Sequence, residues 1–113
     1  MPALSRLGQT RYGPHGGRHR FIATADSTAN AFCAMEIVDA PGGGPPLHCH
    51  SREDEFFYVV EGRFVIDLEG RTVELTPRQG FTVPKGVMHR TRAPERSVIL
   101  MIEGAGVVPT GDK

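Results

Sequence analysis

Glycine and proline punctuate this chain so closely that long helices are excluded from most of it. From Gly62 to Pro94 no more than a handful of residues separate one such break from the next. Proline fixes φ and has no backbone N–H, and glycine suits tight turns, so the intervening pieces must be short. The 14 glycines and 9 prolines make up about a fifth of the 113 residues, against roughly 12% in average usage. Residues 40–46 (APGGGPP) form a break that neither a helix nor a central strand tolerates.

Between the breaks the residues read as strands. Residues 18–25 and 31–39 are extended candidates, and 55–61 (EFFYVVE) is rich in aromatic and β-branched residues. Phe64, Ile66 and Leu68 alternate with Val65 and Asp67, a turn at Glu69 and Gly70 follows, and 71–75 returns. Residues 81–83, 89–92 and 97–103 complete the set. Short strands joined by turns define an all-β chain, a barrel or jelly-roll sandwich. One domain is expected over 1–113, with looser straps at about 1–17 and 104–113 that cross to a partner.

Charge and composition exclude several roles. Lysine and arginine number 13, as do aspartate and glutamate, so the basic footprint of a nucleic-acid binder is missing. No run reaches the ~20 apolar residues of a membrane span. Two cysteines, Cys33 and Cys49, are too few for a secreted disulfide scaffold, and residues 1–13 do not read as a signal peptide, so a cytoplasmic protein is expected. Exposed strand edges in a barrel this small call for pairing, so a homodimer is expected.

Three of the five histidines lie close to the breaks. His48 and His50 are two apart, so in a strand both imidazoles reach one point, while Cys49 faces away. Glu55 follows at the start of the next strand, and His89 stands just after 84–86, again at a strand start. Three imidazoles and a carboxylate suit a first-row divalent metal and leave up to two octahedral positions open. Phe57 and Val59 share the face of Glu55, and Phe56, Tyr58 and Val60 the other. Met35, Met88 and Met101 are core fillers unless they wall the site. His15 and His19 read as surface histidines, Cys49 as a buried structural thiol, and 52–54 as a solvated turn.

Residues 42–62 (GGGPPLHCHSREDEFFYVVEG) resemble the first motif of the cupin superfamily. Gly42, His48, His50, Glu55 and Gly62 meet its five fixed positions. Pro84, Gly86 and His89 meet the centre of the second motif, although Arg78 and Ala93 stand where that motif has Gly and Asn. The resemblance implies a double-stranded β-helix, and a divalent metal (Fe, Mn, Ni or Zn) held by His48, His50, Glu55 and His89. The chain is similar to small single-domain cupins, and the expected activity is that of a metal-dependent, dioxygenase-like oxidoreductase. The metal would then act as a Lewis acid on a small anionic, enolic or aromatic compound, with Glu55 also acting as base. The alternatives are a non-catalytic small-molecule binding module and a metal-dependent isomerase or lyase. One glutamate against a dication leaves a net charge of +1, so the expected ligand is an anion.

Overall fold

A computed structural model describes residues 10–12, 18–24, 26–39, 49 and 54–104. Among these residues nine strands run in chain order: β1 (Thr10–Tyr12), β2 (Arg18–Ala23), β3 (Cys33–Asp39), β4 (Glu55–Glu61), β5 (Phe64–Leu68), β6 (Arg71–Leu75), β7 (Gly80–Val83), β8 (His89–Arg92) and β9 (Ser97–Glu103). Among the described residues a single 3-10 turn, Asp26–Thr28, interrupts them. No helix among the described residues is long and apolar enough to cross a membrane.

The strands form two antiparallel sheets. One has six strands in the order β1-β2-β3-β9-β4-β7, the other three in the order β6-β5-β8. They face each other across an apolar interior, the jelly-roll arrangement expected from the strand pattern. Phe57 of the larger sheet meets Phe64 of the smaller with ring centroids 5.6 Å apart. Val59, Phe64, Ile66 and Ile99 are fully enclosed, and each contributes roughly 1.5–3 kcal/mol of apolar burial.

Strand ends differ from the sequence expectation where side chains take over the backbone. β2 stops at Ala23 because Thr24 opens a turn: its N–H donates to Ser27 Oγ at 2.9 Å, and Thr28 Oγ1 donates to its carbonyl at 2.9 Å. β3 begins at Cys33, after Ala29 and Asn30 take left-handed φ values of 54° and 63°. Thr10–Tyr12, inside the expected N-terminal strap, pairs with β2 as an edge strand.

The register stacks the inward side chains of the large sheet in rows. Ile37, Ile99 and Val59 make one row, and Phe21, Met35, Met101, Phe57 and Phe81 the next. The row at the end of the barrel is Cys33, Glu103, Glu55 and Val83. Glu55 and Glu103 thus sit together in the row at one end, above rows that are mostly apolar apart from His19 beside Ile37.

Candidate metal centre

Glu55 begins β4 and His89 begins β8, on opposite sheets, yet they meet. His89 Nε2 and Glu55 Oε1 are 3.0 Å apart, with both side chains buried. Local sequence sets this up. Asp54 Oδ1 accepts the Lys85 N–H at 2.9 Å, tying the start of β4 to the turn before β8. Asp54 is thus more than the solvated residue expected of it. Gly86 takes φ 80° in that turn, and the Val87 N–H donates to Pro84 O at 3.3 Å. The turn delivers His89 into the interior, 1% exposed.

The ring of His89 is oriented from behind. Nδ1 donates to the Val87 carbonyl at 3.0 Å, which points Nε2 into the barrel, the outer-shell support that metal-bound histidines have. Burial disfavours the charged ring, but the hydrogen bonds to Glu55 and Val87 outweigh it and hold His89 above its ordinary pKa.

Glu103, which the sequence reading did not weigh, is the third polar side chain here. It is 6% exposed and stands directly opposite Glu55 in the β4–β9 register, on the same face. Directly opposed positions bring Cβ atoms to about 4.5–5.5 Å. Burial and the negative charge of Glu103 together push the Cys33 thiol up. The signal was in SVILMIE: alternation puts Glu103 on the face of Ile99 and Met101. Met35 and Met101 pair in the row beneath, as the floor of the site.

The other sequence-stated residues divide as follows. His48 and His50, the remaining pair of the metal set, lie outside the described residues, as does His15. Cys49 is buried, as expected. His19 is half-buried in β2, opposite Ile37 on the inward face, where burial lowers its pKa, so it is not a surface-loop residue. Arg90 and Arg92 face outward and bind Asp67. Arg71 shares the face of His89 through Leu68 and lies over the Phe81 ring at 5.3 Å.

Among the described residues no group of three or more histidine, cysteine or acidic side chains stands close enough to hold a metal ion, and Nε2 and Oε1 are the donor pair brought together. Two cis ligands at about 2.1 Å from a metal stand about 3.0 Å apart, the separation of Nε2 and Oε1.

The described residues thus form a two-sheet jelly-roll with a buried carboxylate–imidazole pair at one end. The chain belongs to the cupin family: the family's cupin domain matches residues 35–103. It is 44% identical over 79 residues to "Polyketide synthase CurC" of Streptomyces cyaneus, covering 68% of this chain and 51% of that one. It is 27% identical over 74 residues to "Quercetin 2,3-dioxygenase" of Bacillus subtilis, covering 66% of this chain and 22% of that one. The chain spans about half the length of the first curated relatives it matches. Among solved structures, KdgF from Halomonas sp. superposes with a TM-score of 0.74 at 26% identity, covering 86% of this chain and 87% of that one. An RmlC-like cupin from Shewanella frigidimarina gives 0.76 at 22% identity, covering 88% and 85%, a likeness of fold.

Proposed function

We propose that this cupin holds a divalent transition metal through His48, His50, Glu55 and His89 and acts on a small enolic or aromatic compound, in the manner of a dioxygenase-like oxidoreductase. The observation that carries the reading is the buried Glu55–His89 contact, at residues whose spacing to His48 and His50 matches the family's first motif. Relatives named as polyketide synthase proteins and as a quercetin dioxygenase support the substrate class.

A bound metal would supply Lewis acidity and, as iron or nickel, redox chemistry. The chain's own groups do the rest. Val87 fixes the His89 ring, Glu55 is the carboxylate able to accept a proton beside it, and Met35, Met101 and Phe57 keep the floor dry. Arg90 and Arg92 turn outward onto Asp67, whereas Arg71 shares the face of His89, so the isomerase reading stands beside the oxygenase reading as the alternative.

The reading includes a cytoplasmic homodimer. The outward face of the large sheet carries Phe56, Tyr58, Val98, Leu100 and Ile102, an apolar surface that calls for cover. Arg20 and Glu36 stand in register on that face. A second copy of this chain packed face to face on that surface is the proposed cover.

Metal content of the purified protein, followed by oxygen uptake of the iron- or nickel-loaded form over a panel of enols and flavonols, tests the function. Uptake supports the oxygenase. Tight binding without turnover supports a binding module instead, and zinc as the sole native metal counts against redox chemistry.

A further inference from the structure

We propose that the outer face of the large sheet carries a second binding site, at a bulge in β2, which takes a zwitterionic α-amino acid with an apolar side chain. The site is separate from the metal centre and does not depend on that reading. In the β2–β3 register Phe21 stands opposite Met35 and Ala23 opposite Ala34. Two steps along β2 therefore match one along β3, and Ile22 is the extra residue. A bulge bends its strand and re-aims side chains. Ile22 is left 50% exposed, and a cavity of about 340 Å³ opens there, lined by Arg20, Phe21, Ile22 and Glu36. That volume lies within the range of about 300–1,000 Å³ found for small-molecule sites.

The lining fixes the ligand class. Phe21 packs against the core, so the outward side chains are Arg20, Ile22 and Glu36. Arg20 is exposed and Glu36 half-buried. The two stand directly opposite each other in the register, which brings Cβ atoms to about 4.5–5.5 Å. One cavity therefore offers a cation and an anion side by side. Among the described residues no ion pair joins these two to each other or to a third group, in contrast to Arg90 and Arg92, which Asp67 holds. A zwitterion matches the pair: its carboxylate accepts from the Arg20 guanidinium fork and its ammonium donates to the Glu36 carboxylate. A ligand with one charge would gain one partner and be repelled by the other. Ile22 gives an apolar side chain a surface to cover. The cavity lies on β2 and β3, beside the β4 and β9 side chains proposed to meet a second copy. A side chain of that copy is the competing occupant, and the zwitterion is favoured because both charges sit within one small cavity.

The test uses three probes with one phenyl frame: L-phenylalanine, 3-phenylpropanoate, which lacks the ammonium, and 2-phenylethylamine, which lacks the carboxylate. Each is titrated at pH 7 into the full chain with isotope-labelled isoleucine methyl groups. The aromatic ring shifts the Ile22 methyl resonance, which Ile22→Val identifies. L-Phenylalanine is expected to move that resonance and to bind about fivefold more tightly than either analogue. Glu36→Gln is expected to remove its advantage over 3-phenylpropanoate, and Arg20→Gln its advantage over 2-phenylethylamine. Arg20→Lys, which keeps the charge, is expected to retain the wild-type order. Loss of packing alone would instead weaken all three probes together. Should a variant not fold, the order of the three probes on wild type decides. An Ile22 methyl that L-phenylalanine does not move, binding no tighter than that of the analogues, or variants that weaken all three probes alike overturns the proposal. A methyl that responds to protein concentration and not to L-phenylalanine assigns the cavity to a second copy, which also overturns it.

Discussion

His89 Nε2 lies 3.0 Å from Glu55 Oε1, joining the first residue of β8 to the first residue of β4 across the two sheets. If that pair is half of a metal centre, the other half is the His48 and His50 pair. His50→Ala is expected to lose stoichiometric nickel or zinc while its far-ultraviolet circular dichroism keeps the β signature. Full metal occupancy in the variant, measured by mass spectrometry, sinks the ligand assignment.

Gly62 carries the chain from β4 to β5 with φ 91°. A Cβ there would sit 2.5 Å from both Arg96 O and Ser97 Oγ and 2.8 Å from Ser97 Cα. The crowding has a cause: Ser97 Oγ accepts the Arg63 N–H at 3.0 Å and donates to the Arg63 carbonyl at 2.7 Å, which stitches the turn onto β9. Gly62→Ala is expected to cost about 2–4 kcal/mol, from clash and left-handed strain together. Thermal denaturation checks this, with a drop of about 10 °C or more expected.

Arg78 has φ 73°, at the position where the second cupin motif has a glycine. The turn keeps its shape, and its N–H donates to Val59 O at 2.8 Å, but a side chain sits where glycine is favoured. Left-handed backbone costs a non-glycine residue about 1–2 kcal/mol, against about 0.5–1 kcal/mol of added chain entropy for glycine. Arg78→Gly is therefore expected to stabilise by about 0.5 kcal/mol, read as a higher denaturant midpoint. A lower midpoint contradicts it.

Asp67 accepts hydrogen bonds from Arg92 at 2.8 and 3.2 Å, from Thr72 at 3.1 Å and from Arg90 at 3.3 Å. The Arg92 bond above all holds its carboxyl down at about 2. An unfolded aspartate takes its proton near pH 3.9, so the unfolded chain is protonated first as pH falls. The stabilisation is full above that value and is lost on descent toward pH 2. The pair is exposed, so Asp67→Asn is expected to cost less than about 1 kcal/mol at pH 7. The gap between variant and wild-type midpoints should close between about pH 5 and pH 2. A gap that does not change with pH refutes this.

Leu100 lies at the centre of the outward apolar face of the large sheet, between Glu36 and Tyr58. Leu100→Glu is expected to convert a dimer to a monomer in light scattering while leaving the melting curve cooperative. A wild type that is already monomeric refutes the homodimer.

Alternation along the chain showed most of this architecture. It assigned Phe57 and Val59 to the side of Glu55, and burial follows that assignment. It did not show Glu103 as a site residue, because alternation tells which face a side chain takes and not which strand lies opposite. The pairing of β9 with β4, which sets Glu103 against Glu55, brings together residues far apart in sequence. Nor does alternation show that Arg71 shares the face of His89, since that relation runs through Leu68. The Glu55–His89 meeting was legible through motif spacing, while the Asp54–Lys85 tether that enforces it has no mark in composition or period.

β9 lies between β3 and β4 in the large sheet, yet it is the last of the nine strands to be synthesised. Until it leaves the ribosome, β3 and β4 each present a bare hydrogen-bonding edge, and Glu55 has no strand neighbour on that side. The barrel is therefore closed by insertion of a strand rather than by growth at a margin. During synthesis the half-made sheet is the species most exposed to association with other chains.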